Sequence, residues 1–254
     1  MASPAPDIHL PDRTAPDRRP DWMVLALLCL AQFMVVLDVS IVNVALPSIR
    51  GELGFSSSGL QWVVNAYTLA FAGFLLLGGR AADLFGRRRM FLIGLSLFTA
   101  ASLAGGLAQD QTTLLLARFA QGLGAAVLSP ATLTILTTTF TDGPRRAKAL
   151  GAWSAVAGAG GAAGALLGGV LTDLVSWRWI LFVNVPIGLL GLVAARQLLS
   201  NTRDERAPRH LDLLGAMLVT LGLMTLVYGI VGTTQHGWTS SRTLGILGTA
   251  VVLL

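Results

Sequence analysis

From Trp22 onward the chain is built of long apolar runs separated by short polar linkers. Six runs are full length: Trp22–Leu46, Gly59–Gly79, Met90–Ala108, Thr113–Thr137, Ala149–Thr172 and Trp179–Leu199. Each supplies the about 20 helical residues needed to cross a hydrocarbon core about 30 Å thick. A seventh fits at Leu213–Gly232. An eighth opens near Thr243 and reaches Leu254 after 12 residues, about 18 Å of helix and too short to cross. The pattern predicts an all-α polytopic membrane protein with its last helix cut short.

Polar segments divide the chain further. Residues 1–21 hold five of the ten prolines among Asp and Arg, a composition that predicts a disordered tail. The first apolar run is too long for a signal-peptide core and lacks a clear small-residue cleavage site, so it reads as a retained first helix. The longest polar linker, 200–212, separates a six-helix unit at 22–199 from a new segment at 213–254, the seventh helix and a partial eighth.

Composition supports the class, and charge adds topology. Hydrophobic residues make up 54% and charged residues 12%, about half the charged share of soluble domains. The 18 Lys and Arg residues are unevenly placed. Fourteen fall on the side of the N-terminus, three (Arg50, Arg178, Arg242) on the other, and Arg118 lies within a span. The positive-inside rule puts the N-terminus, and with it tail and linker, in the cytoplasm. Basic charge therefore records topology and does not indicate a nucleic-acid partner.

Other chemistries find no support. His9, His210 and His236 lie in tail and loops, so no metal site is indicated. The only lysine, Lys148, lacks the glycine-rich approach of a phosphate loop, and the Gly158–Ala163 run lies inside a span with no strand before it. Cys29, alone, reads as a small packing residue. No cofactor and no enzymatic activity are expected; the energy source should be an ion gradient.

Asp38 and Arg118 are the ionisable residues well inside spans, where each costs several kcal/mol unless paired or wetted. Measured along ideal helices, Asp38 lies roughly 6 Å from the outer face and Arg118 about 7.5 Å from it. Matching depths suggest a pair. An opposite charge favours the ionised carboxylate and burial the protonated one, the balance a proton-exchanging acid needs. A structural ion pair fixing the first helix to the fourth is the competing reading.

The loop after the second span reads Gly79-Arg-Ala-Ala-Asp83-Leu-Phe-Gly86-Arg87-Arg88-Arg89. Gly86 permits a tight turn, Asp83 can accept hydrogen bonds or an ion pair, and the arginines can meet acids or helix C-termini. A plain cytoplasmic stop signal would need less. This loop resembles the signature between helices two and three of the major facilitator superfamily. Leu37-Asp38-Val-Ser-Ile-Val-Asn43-Val-Ala-Leu-Pro47 resembles the first-helix motif of its fourteen-span drug:proton antiporters. Leu114-Leu-Leu-Ala-Arg118-Phe-Ala-Gln121-Gly122-Leu-Gly124 is similar to their fourth-helix motif, and Trp177-Arg-Trp-Ile-Leu-Phe-Val-Asn184-Val-Pro186-Ile-Gly188 to the start of their sixth helix. The fifth span departs from the pattern, with Ala165 where the family has proline. Gly160, Gly164 and Gly168 still share one helix face, with Gly169 beside them, either as part of an antiporter motif or as small-residue helix packing.

The resemblance implies an N-terminal six-helix bundle of two inverted three-helix repeats. It further implies a bacterial plasma-membrane protein that exchanges protons for small amphipathic or cationic compounds, drugs among them. Asp38 would take the proton or cation with Arg118 as partner. Gly79, Asp83, Gly86, Arg87 and Arg88 would form the cytoplasmic gate loop, and Asn43, Gln61, Asn65 and Gln121 could line the cavity. The partners would be the bilayer, substrate, protons and the C-terminal half of the transporter, which would complete a central site. Two alternatives stay open: an ion-coupled nutrient importer of the same fold, and a non-transporting membrane subunit whose polar residues only fix helix packing.

Overall fold

The structure, a computed structural model, describes residues 20–200 and 213–254. The expected tail and linker fall on 1–19 and 201–212, outside the described residues. Among the described residues the regular elements are all helical: α1 (Asp21–Leu53), α2 (Ser57–Phe85), α3 (Arg87–Gly106), α4 (Gln111–Thr139), α5 (Gly143–Leu174), α6 (Trp179–Phe182), α7 (Asn184–Leu198), α8 (Leu213–His236) and α9 (Ser241–Leu253). Helices α1 to α5, and α6 with α7 taken together, are long and apolar enough to cross a membrane. Their outward faces leave Leu116, Leu166 and Leu190 exposed, the arrangement expected of a surface solvated by lipid.

The helices outrun the apolar stretches that predicted them. The first does not stop at Leu46 but runs through Pro47 to Leu53. Pro47 forfeits one backbone donor, and the helix ends only where Gly54 turns to φ 69° and donates to the Arg50 carbonyl at 3.0 Å. The sixth span is interrupted at Val183. Pro186 has no N–H to give the Phe182 carbonyl one turn back, so the ladder breaks there. Gly86, at φ 96°, is the whole connection between α2 and α3, a conformation that disfavours any residue with a Cβ.

Small residues set the helix spacing. A Cβ added at Gly160, Gly164 or Gly168 would stand 3.1 Å from the Phe33 carbonyl oxygen, 2.6 Å from Ser40 Cβ or 3.0 Å from Val44 Cβ. The glycine stripe is therefore the surface on which α1 lies, and Ser40 Oγ closes it by donating to the Gly161 carbonyl at 2.7 Å. Gly169 lies off this face with nothing near its Cβ position. Ala165 is exposed, and α5 is a single continuous helix.

Two apolar cores stack along the bundle. One holds Leu28, Met34, Phe91, Phe98 and Leu128, toward the basic end that carries Gly86. The other holds Ile41, Ile49, Val63, Leu114, Trp177 and Ile180, toward the opposite end. Between the two cores, α1, α3, α4 and the α6–α7 segment bring buried polar residues together.

Candidate functional site

That polar layer is a closed set of side chains. Asp38 from α1, Arg118 and Gln121 from α4, Ser102 from α3 and Asn184 from α7 are each 0–1% exposed. Arg118 Nη1 donates to Asp38 Oδ2 at 2.5 Å and to Gln121 Oε1 at 2.9 Å. Gln121 Nε2 and Asn184 Nδ2 both donate to Asp38 Oδ1, at 3.0 and 3.1 Å. The same two amides reach Ser102 Oγ at 3.1 and 3.0 Å, and Ser102 donates to the Leu181 carbonyl at 2.8 Å. Arg118 Nε donates to the Val63 carbonyl of α2 at 3.0 Å, and its guanidinium lies over the Tyr67 ring, 4.6 Å from the centroid.

Every helix from α1 to α4, with α6 and α7, contributes an atom, so the layer fixes their register. The Asp38 carboxylate accepts three donors and faces one cation, which compensates its charge in a dry setting. One acceptor is left over: Asn184 Oδ1 is buried and has no hydrogen-bond partner.

Beside the layer lies a cavity of about 880 Å³ between α1, α2, α4 and α5. Its wall is mostly apolar, from residues such as Val36, Phe71, Leu75 and Pro130. Two buried donors in that wall have no hydrogen-bond partner, the Tyr67 hydroxyl and Trp153 Nε1. Gly79, Arg80 and Asp83 line the cavity toward the α2–α3 turn.

The residues singled out in the sequence are distributed as follows. Asp38 and Arg118 come together, and Gln121 joins them in the buried layer instead of lining the cavity. Asn43 is exposed and donates to the Val39 carbonyl of its own helix at 2.7 Å. Gln61 is exposed and Asn65 half-buried; neither reaches the cavity, because α2 turns other residues toward it. In the loop expected to gate, Asp83 is half-buried, and Arg88 Nη2 donates to the Arg196 carbonyl in the last turn of α7 at 2.9 Å, a favourable end for a cation. Arg87 is also half-buried, next to Gly86.

Sequence reasoning passed over two features. Ser102 and Asn184 are uncharged, yet lie at the same level as the ion pair, and extending the depth comparison to polar residues would have found them. At the end opposite Gly86, Glu52 pairs with Arg178 and accepts from Trp177 Nε1 at 2.6 Å. Arg178 Nη2 also donates to the Ala108 carbonyl at 2.7 Å, so the end of α1 and two inter-helix segments are clasped together.

Known proteins resemble the chain in both sequence and fold. A cephamycin export protein of Amycolatopsis lactamdurans is 55% identical over 84% of the chain and 44% of its own length. A puromycin resistance protein of Streptomyces alboniger is 47% identical over 98% and 50%, and a tetracenomycin C resistance and export protein of Streptomyces glaucescens is 39% identical over 91% and 43%. The chain thus spans about half the length of these relatives. Among solved structures, a peptide transporter superposes with a TM-score of 0.68 at 19% identity, over 92% of this chain and 52% of that one. A D-xylose–proton symporter gives 0.60 at 15%, over 91% and 65%; at such identities the likeness concerns the fold alone. The family model for the Major Facilitator Superfamily matches residues 28–254. With the six-helix bundle and the buried charge pair on the same residues, the chain belongs to the Major Facilitator Superfamily.

Proposed function

We propose that the chain forms the N-terminal part of a proton-coupled exporter of small amphipathic compounds, antibiotics among them, in a bacterial plasma membrane. The observation that carries this reading is the dry Asp38–Arg118 pair beside a large, mostly apolar cavity. An intramembrane carboxylate held by a counter-charge is expensive to keep, and titration against substrate gives it a use. Relatives named for cephamycin export and for tetracenomycin C resistance and export support the direction, and one named for puromycin resistance supports antibiotics as a substrate class.

In this reading Asp38 takes the proton and Arg118 balances its charge when the proton leaves. The basic end is cytoplasmic in this reading, which the distribution of arginines supports. There Asp83, Gly86, Arg87 and Arg88 form the gate, where a change of charge shifts the balance between two conformations. Both Asp38 oxygens are occupied by donors. A cationic substrate in the cavity would therefore meet Asp83 before Asp38.

The experiment is uptake into inverted vesicles carrying the full-length protein, with and without an imposed proton gradient, using cephamycin, puromycin, lincomycin and tetracenomycin C. Gradient-driven accumulation of at least one compound, lost in Asp38→Asn and reduced in Asp83→Asn at equal abundance, is expected. Uphill accumulation by Asp38→Asn at the wild-type rate would place the proton site elsewhere.

A further inference from the structure

Between the cavity and the buried layer stands one side chain that belongs to both. Tyr67 lines the cavity, is 3% exposed, and presents its ring to the Arg118 guanidinium at 4.6 Å. Its hydroxyl has no hydrogen-bond partner in the protein, an uncommon condition for a buried phenol, which ordinarily finds one. The backbone behind it is fixed. A Cβ at Gly122 of α4 would fall 2.3 Å from the Tyr67 carbonyl oxygen, so α2 and α4 touch here with no room to part. Phe71, one turn along α2, lies nearly parallel to the ring, 6.1 Å between centroids. The ring is thus held at its base and along one face, while its tip is unsatisfied.

We propose that Tyr67 is a positioning residue through which an occupant of the cavity and the proton on Asp38 sense each other. The inference rests on the reading of Asp38 as the proton acceptor. With Asp38 ionised, Arg118 is drawn to Oδ2 and lies under the Tyr67 ring, where cation–π attraction holds the aromatic face in place. An occupant of the cavity meets the ring and not the hydroxyl, whose oxygen is closed off. When a proton from water binds Asp38 Oδ2, the new O–H replaces the Arg118 contact and the charge attraction is lost. Arg118 keeps Val63 and Gln121 as acceptors but no longer has an anion to hold it. The ring loses its anchored cation and the cavity wall loosens.

Proton and occupant therefore oppose each other, as exchange requires, and the effect is reciprocal. The groups facing Asp38 are few. Arg118 and Tyr67 are the titratable ones, from α4 and α2; α3, α4 and α7 add Ser102, Gln121 and Asn184, while the glycine stripe of α5 packs against Phe33, Ser40 and Val44 on another face of α1. The substrate class that follows is an apolar, ring-bearing compound that packs against the Tyr67 and Phe71 rings in a mostly apolar wall.

Equilibrium binding of cephamycin, puromycin, lincomycin and tetracenomycin C to the full-length protein in nanodiscs, from mildly acidic to mildly alkaline pH, tests this. Wild-type affinity should weaken on acidification by about 5- to 150-fold, the usual range of coupling between sites. Tyr67→Phe keeps the ring, so it should retain both the affinity and the pH dependence of the wild type. Tyr67→Leu should bind with little pH dependence, as should Asp38→Asn. If Tyr67→Leu keeps the wild-type slope while Asp38→Asn is flat, the role of Tyr67 is overturned and that of Asp38 stands. A wild-type slope in Asp38→Asn would overturn both. Loss of the pH dependence in Tyr67→Phe would overturn the role of the ring, and wild-type protein that binds none of the four compounds would overturn the export reading itself.

Discussion

Removing the two charges of the polar layer one at a time, and then together, separates what the pair does for the fold from what it does for transport. Arg118→Met leaves the Asp38 carboxylate buried with two amide donors and no cation, and strips a donor from the Val63 carbonyl and from Gln121 Oε1. Asp38→Leu leaves the guanidinium buried among neutral acceptors. Breaking a buried pair from one side costs about 3–5 kcal/mol, so each single variant should lose that much. In Asp38→Leu/Arg118→Met no charge remains. Exchange of a buried pair for apolar side chains is often neutral, but Gln121 and Asn184 lose an acceptor, at about 1–3 kcal/mol for each orphaned group. At the middle of these ranges the double variant should be about as stable as either single one, with a coupling energy of about 4 kcal/mol. Equilibrium unfolding of the four full-length proteins in mixed micelles measures it, with vesicle transport in parallel. Losses that add to within about 0.5 kcal/mol would refute mutual compensation. A double variant that still drives uphill export would make the pair structural only.

Single-cysteine labelling with an impermeant reagent, after Cys29 is replaced, should leave a cysteine at Arg88 or Arg146 unlabelled from outside intact cells, while one at Gln109 or Gly237 reacts; external labelling at Arg146 would invert the topology. Gly164→Leu should sharply lower the yield of folded protein, because its Cβ position lies 2.6 Å from Ser40 Cβ, whereas Gly169→Leu should fold normally; equal yields by size-exclusion chromatography would contradict the α1–α5 contact. Asp110 caps α4 with hydrogen bonds from Thr113 Oγ1 and N at 2.6 and 2.9 Å, which hold its carboxyl below the usual value. Its folded pKa is depressed, so the stability it adds is present above the unfolded value and lost as pH falls through the folded one. The stability difference between wild type and Asp110→Ala should accordingly shrink in acid, and a pH-independent difference would exclude the cap.

The number, order and approximate ends of the membrane-spanning helices could be read from apolar run length alone, since lipid imposes one simple requirement on each. Helix ends could not, because capping by Gly54, Ser56 and Asp110 happens in polar sequence outside the runs. The charge pair was legible because two lone charges at one depth have few ways to be satisfied. Its neutral partners were not. Ser102, Gln121 and Asn184 cost little to carry in a span, so nothing in the sequence alone marks which way they turn. Asn43, Gln61 and Asn65 have the same chemistry and face elsewhere; only the rotation of each helix about its axis separates the two groups.

The clasp of Glu52, Trp177, Arg178 and Ala108 gives the bundle a mechanical asymmetry. It ties the end of α1 to the segments before α4 and α6, while at the other end α2 and α3 meet at a single glycine. A rod pinned at one end turns small displacements near its middle into larger ones at its free end. Asp38 lies 15 residues from Leu53 and Asp21 lies 32 from it, about 22 and 48 Å of helix. A 1 Å sideways shift of α1 at the charge pair, taken as rigid rotation about the clasp, therefore becomes about 2 Å at Asp21. The leverage runs one way, so a proton bound at the pair would be felt most at the end where the gate loop lies.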